Sequence, residues 1–226
     1  MSMDLFDGRD ISATPSYKEQ AYQLIKDAIL FNRFRVGAIY SQDNICKELG
    51  ISRTPVREAL LELQKDGYVI FCRGKGVQVA PVSEEDARDI LEARMYSECA
   101  NARMAAARAT DQEIAQIKES LDALEVKLES RDGQLLYLLD HRFHRAVAAC
   151  THNRLLYKQC TIFLDHYLRF EVKSVYNNSI DAKTVFEEHV AIYEAIAAKN
   201  PERAEQAMNR HLTNSYRRTV SRYWPE

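Results

Sequence analysis

The chain of 226 residues is 46% hydrophobic and 28% charged, with a formal net charge of −2. That balance is ordinary for a soluble globular protein of one large or two smaller domains. No segment approaches the ~20 apolar residues of a membrane span. The acidic start MSMDLFDGRD lacks the apolar core of a secretory leader, and five cysteines without a CxxC pair fit reduced thiols in a cytoplasmic protein. A near-neutral total excludes a polycation, so a nucleic-acid partner has to be held by a local patch.

Residues 1–16 read as a flexible N-terminal arm. Residues 17–34 carry Ala21, Leu24, Ile25, Ala28 and Ile29 at helical spacing, and Gly37 breaks the run. Ser41 is placed to cap a short helix through Ile45 and Leu49, closed by Gly50. Three residues later Thr54 is a good N-cap with Pro55 at the first helical position, so a third helix is expected from about Thr54 through Leu60, Leu61 and Leu63 to Gly67. Two short strands follow, YVIFC (68–72) and GVQVA (76–80), joined by Arg73-Gly74-Lys75. Helix, helix, tight turn, helix and β-hairpin is the order of a winged helix-turn-helix, here spanning 17–81.

Within that motif the stretch SRTPVREAL (52–60) places Arg53 just before the third helix and Arg57 in its first turn. The positive end of the helix dipole lies there and favours acids by roughly 0.3–1 kcal/mol, so two cations need a reason. Two arginines alone are usually a solvated surface feature. As the opening of a recognition helix they face phosphates and base edges, where a guanidinium binds phosphate or reads guanine O6/N7 bidentately. Arg73 and Lys75 at the hairpin tip would reach an adjacent groove or strand.

The rest of the chain has another grammar. Six of the seven glycines lie at or before Gly76, and no proline occurs between Pro81 and Pro201. Residues 1–81 carry 11 Lys and Arg against 10 Asp and Glu, and the remainder 20 against 23. A boundary near Pro81 follows, with Ser83 capping an acid-rich helix start. Helices are expected at about 84–108, 111–130, 133–150, 153–175, 182–199 and 201–223. The fold class is therefore mainly α, an N-terminal winged helix-turn-helix followed over 82–226 by an all-α bundle of about six helices.

Three of these helices place polar groups in their apolar stripes. In LLDHRFHRAV, Asp140 and His144 stand four apart on the face that carries Leu136, Phe143 and Val147. His189 sits among Val185, Phe186, Ile192, Tyr193 and Ile196, and His211 among Ala204, Ala207, Met208, Leu212 and Ser215. One such histidine is usually a satisfied core residue. Three with a carboxylate favour a shared divalent cation, and the mixed nitrogen and oxygen set suits Zn²⁺, Ni²⁺, Mn²⁺ or Fe²⁺ without choosing among them. His141, His152 and His166 fit the stripes less well and read as surface or structural.

The run SQDNICKELGISRTPVREALLELQKDGYV…RGKGVQVAPV resembles the DNA-binding domain of the GntR family of bacterial transcription regulators, and the helical remainder resembles the FadR-type ligand-sensing FCD domain. The resemblance implies that Arg53 and Arg57 are the main DNA contacts. It puts Thr54 on phosphate and the wing from Arg73 through Lys75 to Gly76 in the minor groove. It also implies a metal set of an Asp and a His four apart, then one His on each of two later helices, which Asp140, His144, His189 and His211 match. Arg94 is the first candidate to bind a carboxylate effector, because relatives often carry an arginine at this point; the alternative is a surface salt bridge with Glu98 or Asp89. Arg169 is the second candidate. The implied protein is a cytoplasmic homodimer on a pseudo-palindromic double-stranded operator, a repressor modulated by a small organic acid. Where some relatives have a further DNA-contacting arginine, this chain has Gln42, Asp43 and Asn44. A metal-dependent enzyme is disfavoured because HExxH, a nucleophile elbow, a P-loop and GxGxxG are all missing. A purely structural metal is the third reading.

Overall fold

The computed structural model describes residues 15–130, 132–171 and 179–223. Most of the expected arm, residues 1–14, lies outside them. The chain divides after Pro81 into two compact units.

The first unit opens with helix α1 (Tyr17–Leu30), whose Ser16 and Glu19 form a capping box. It ends four residues short of the expected run. Asn32 adopts a left-handed φ of 53° and stops the helix before Gly37 is reached. A two-residue strand β1 (Ile39–Tyr40), not foreseen from the sequence, precedes α2 (Gln42–Leu49), which is capped by Ser41 and closed by Gly50 at φ 65°.

Helix α3 is Arg53–Lys65 with Ser52 at the N-cap. It therefore starts before Thr54, and Pro55 occupies the third helical position. The first-turn N–H groups have no intrahelical acceptor, so proline is accommodated anywhere in that turn, and its presence does not mark the first residue. Val56, Ala59, Leu60 and Leu63 of α3 are buried, as are Ala21, Ile25 and Ile29 of α1. Each large aliphatic side chain so buried contributes about 1.5–3 kcal/mol. Tyr22 donates to Asp66 at 2.6 Å, tying α1 to the end of α3.

Strands β2 (Val69–Cys72) and β3 (Gly76–Val79) make the wing, and the antiparallel sheet runs in the order β1-β3-β2. Register pairs Val69 with Val79 and Cys72 with Gly76.

In the second unit, α4 (Glu84–Arg108) has a capping box of Ser83 and Asp86. Its buried residues Ala87, Leu91, Arg94, Glu98, Asn101 and Ala105 alternate by four and three, which is one continuous helical stripe. Three of these six are polar. Helices α5 (Asp111–Glu125, capped by Thr110), α6 (Gly133–Ala149), α7 (Arg154–Glu171), α8 (Ser179–Ala197) and α9 (Pro201–Tyr223) complete the bundle. Helix α4 packs against α6, α7, α8 and α9. Cys99, Ala102, Ala106, Leu121, Phe143, Val147, Ile192, Met208 and Leu212 form the main apolar core. None of the helices searched among the described residues is long and apolar enough to cross a membrane.

Gly76 is required by the sheet. Its φ is 121°, and a Cβ there would collide with the carbonyl oxygen of Tyr40 on the neighbouring strand. Gly76→Ala is expected to destabilise the first unit by about 1–3 kcal/mol. Denaturant unfolding followed by circular dichroism checks this, and an unchanged midpoint would contradict the steric argument.

Candidate metal centre and nucleic-acid interface

The candidate DNA-facing surface is at the start of α3. Arg53 and Arg57 stand four apart, on one exposed helix face, with Thr54 exposed beside them. Leu61, one turn further along this face, is exposed as well. Because α3 starts at Arg53, that residue belongs to its first turn and Arg57 opens the second. The turn itself carries no acid, so its free N–H groups add to the positive charge of both guanidiniums. Arg53 pairs with Asp43 of α2 at 2.9 Å; both side chains are more than half exposed, so the pair contributes little stability. Arg73 and Lys75 line a cleft of about 490 Å³ between the wing and the start of α2, together with Ser41, Gln42 and Asp43. The structure thus puts Lys75 and Arg73 on the exposed wing, whereas Gly76 is packed beneath β1.

The second unit brings α6, α8 and α9 together around four polar side chains. Asp140, His144, His189 and His211 are all less than one-tenth exposed. Ring centroids of the three imidazoles form a triangle with sides of 5.1, 5.2 and 4.5 Å, and one nitrogen from each lies within 4.8 Å of the others. The Asp140 carboxylate is 3.4 Å from His189 Nε2 and 3.9 Å from His144 Nε2. His144 Nε2 and both ring nitrogens of His189 are buried without a hydrogen-bond partner among the described residues. Orphaned buried nitrogens cost about 1–3 kcal/mol each. A divalent cation would remove that cost for one nitrogen of each ring, since each imidazole offers one ligand atom and these lie within 4.8 Å of one another. The donor set of three imidazoles and one carboxylate fits such an ion and leaves coordination positions for another ligand.

Around this cluster lie groups the sequence did not single out as site residues. Glu98 Oε2 is 2.5 Å from His144 Nδ1, and its other oxygen accepts from Arg94 Nε at 2.6 Å. Glu188 Oε2 lies 2.8 Å from His211 Nδ1, and the same carboxylate accepts from Asn214 and, through two bonds, from Arg218. A signal for these exists in hindsight: His211, Asn214 and Arg218 stand at i, i+3 and i+7 on one face of α9, and Glu98 follows Arg94 by four on the buried stripe of α4. Asn101 continues that stripe, and neither of its amide atoms has a partner among the described residues.

Of the two effector candidates, Arg94 is 2% exposed, stacked 4.3 Å over the Tyr167 ring and paired with Glu98. The Glu98 partner is the one expected for a surface bridge, but the pair lies in the interior. Arg169 is partly buried, 3.4 Å from His166 Nδ1 and near enough to Asp86 to lower its carboxyl. The cations felt at His189 are Arg218 and Arg94. His141, read as surface or structural, is buried against Tyr137, while His152 is half-exposed on Glu113.

Burial sets the charge states. It pushes His189 well below the usual imidazole range, with the neighbouring His211 and His144 adding to the effect. His211 is also lowered by burial, although Glu188 opposes this. His141 is pushed well down by burial and then by Arg145. For Glu98, burial acts upward, but Arg94 and His144 outweigh it and hold the carboxyl well below the usual carboxylate range. Glu188 is lowered to about 2, with His211 and Arg218 overcoming its desolvation.

Known proteins agree with this division. A family model described as "FCD domain" matches residues 89–214, and one described as "Bacterial regulatory proteins, gntR family" matches residues 17–79. The HTH-type transcriptional regulator LutR of Bacillus subtilis (strain 168) is 30% identical over 189 residues, covering 75% of this chain and 85% of its own. The HTH-type transcriptional regulator YdhC of the same organism is 26% identical over 203 residues, 89% of each chain. Among solved structures, E. coli McbR/YncC has a TM-score of 0.80 at 21% identity, over 93% of this chain and all of that one, which speaks for the fold.

Three buried histidines, His141, His189 and His211, make a pH dependence. Their folded values lie below the unfolded value of about 6.5, so the unfolded chain takes up protons first as pH falls. Without metal, their contribution is full above about pH 7 and is lost below about pH 6.5, before the carboxylates titrate. Melting with a chelator present should give a lower Tm at about pH 5.5 than at about pH 7.5; an equal or higher Tm would contradict the neutral burial of these rings.

Proposed function

From its membership of the GntR family of bacterial regulatory proteins, with an FCD domain, which makes this chain a DNA-binding transcriptional regulator, we propose a metal-dependent sensor of a small organic acid that acts as a repressor. The observation that carries the proposal is the convergence of Asp140, His144 and His189, with two orphaned Nε2 atoms, and His211 in the same chain as an arginine-led recognition helix.

In this reading Arg57 and Arg53 contact base edges, Thr54 a phosphate, and Arg73 and Lys75 the adjacent groove, with Gly76 giving the wing its shape. One such domain reads few base pairs, so a homodimer on a pseudo-palindromic operator supplies the affinity and the specificity, in the cytoplasm where the DNA is. Asp140, His144, His189 and His211 hold the divalent ion, of which Zn²⁺, Ni²⁺, Mn²⁺ and Fe²⁺ all suit the donors. The bound ion supplies a Lewis-acidic anchor for a carboxylate. Arg94 contributes positive charge nearby while remaining bound to Glu98. Nothing supports a place for Arg169 in the first contacts of the acid. Binding of the acid shifts the balance between bundle states that differ in operator affinity, and repression is relieved. Relatives that are regulators, with no enzyme family matched, support sensing rather than turnover.

Two substitutions separate the layers. Arg57→Ala should weaken binding to the specific operator by about 1–3 kcal/mol while leaving fold and metal content intact, measured by fluorescence anisotropy; loss of the fold instead would refute the contact role. His189→Ala should lower metal content by elemental analysis and abolish the response to acids, yet leave operator binding in place. A thermal-shift scan of small organic acids, with native metal and after chelation, names the ligand class. An acid at 100-fold its Kd should add about 2.7 kcal/mol, and the shift should vanish on chelation. Absence of any shift with a large loss of stability on chelation would favour a structural metal.

A further inference from the structure

We infer that Glu98 and Glu188 are positioning residues of the metal centre, each orienting one ligand histidine through its Nδ1 and each anchored in turn by an arginine. The inference rests on the metal-centre reading above and adds the residues that make that centre selective for one ring nitrogen.

An imidazole that ligates through Nε2 keeps a proton on Nδ1, and inside a bundle that N–H needs an acceptor. His211 has one hydrogen-bonded to it, and His144 has a carboxylate oxygen at ion-pair distance, though outside hydrogen-bond geometry. The Glu98 carboxylate stands 2.5 Å from His144 Nδ1 and the Glu188 carboxylate 2.8 Å from His211 Nδ1, while His144 Nε2 looks toward Asp140. The two carboxylates come from different helices, α4 and α8, and meet rings on α6 and α9. Each is also held from behind, Glu98 by Arg94 and Glu188 by Arg218. Two unrelated stretches of chain thus build the same order of groups, arginine, glutamate, histidine, pointing into one cluster.

A plain helix-stapling salt bridge explains an arginine beside a glutamate. It does not explain why a carboxylate oxygen is also placed at the ring nitrogen on the far side from the cluster in both cases. His189 serves as an internal contrast. The carboxylate paired with it, Asp140, meets Nε2 and not Nδ1, and the His189 ring is stacked on Phe143 at 4.4 Å. The carboxylates therefore do two things for their own histidines: they select the tautomer with a free Nε2 lone pair, and they raise its basicity toward a cation. The arginines keep both carboxylates ionised although they are largely buried.

The test uses the full chain and Zn²⁺ as the probe, with affinity measured by competition against a chromophoric chelator. Glu188→Gln is the decisive variant, because its side chain borders solvent and a neutral isostere preserves packing. Zn²⁺ binding should weaken about 10–100-fold, with helicity unchanged. Glu98→Gln should weaken it similarly, but it leaves Arg94 buried without its carboxylate, so it is read only where its melting curve remains cooperative. Glu113→Gln, at the surface pair with His152, should leave Zn²⁺ binding unchanged. Nitrogen NMR of the Zn²⁺-loaded protein should show the His211 proton on Nδ1, with its resonance moved by Glu188→Gln and not by Glu113→Gln. Zn²⁺ affinity of Glu188→Gln within about twofold of the parent protein, or a His211 proton on Nε2, would overturn the inference. If the parent protein itself fails to bind Zn²⁺ tightly, the metal-centre reading falls and takes the inference with it, a result distinct from a loss confined to the glutamate variants.

Discussion

The effector domain is organised by the desolvation of a small set of ionisable groups. Asp140, His144, His189 and His211 lie inside a helical bundle, where an imidazole or carboxylate without a partner is costly. That cost shapes what surrounds them. Glu188 hydrogen-bonds His211 Nδ1 and Glu98 stands 2.5 Å from His144 Nδ1, Arg94 and Arg218 neutralise the glutamates, and Tyr167 covers the Arg94 guanidinium. The Nε2 atoms of His144 and His189 have no hydrogen-bond partner among the described residues. In the proposed reading that interior is where a cation binds.

The same logic explains why α4 looks undistinguished by amphipathicity yet is central. Its buried stripe contains Arg94, Glu98 and Asn101 among alanines and Leu91, so apolar character does not separate its inner and outer faces. The small residues Ala102, Ala105 and Ala106 permit close packing with the neighbouring helices, and the polar ones reach the histidines. Glu98 links this helix to His144 of α6 at 2.5 Å.

In the DNA-binding unit the governing fact is an electrostatic mismatch within the free protein. Arg53 and Arg57 stand at the positive end of α3, where the fold itself gives them no advantage. Asp43 partly offsets Arg53 at 2.9 Å, on the very helix where some relatives place an arginine. In the proposed reading a polyanionic partner stabilises this surface, and Asp43 alters its charge pattern.

Element order, the capping residues Ser16, Ser41 and Ser83, and the hydrophobic spacings were legible along the chain, because start signals and helical periodicity act within a few residues. The boundaries were less so. Pro55 did not mark the first residue of α3, since any first-turn position tolerates it. Asn32 ended α1 ahead of the glycine, and the two-residue β1 has no pattern of its own; it exists only because β3 offers an edge. The histidine and aspartate set was visible as polar residues in apolar stripes. What chain order could not show is which charges meet them. Arg94 is the first candidate by sequence and Arg169 the second; Arg169 lies beside His166, and Arg94 is linked to His144 through Glu98. Glu188 and Arg218, 30 residues apart, join only when α8 and α9 pack. Local chemistry determined which segments are helices and which residues want a partner; tertiary packing decided the partners, because a carboxylate recognises whatever cation the fold carries within about 3 Å, not what stands near it in the chain.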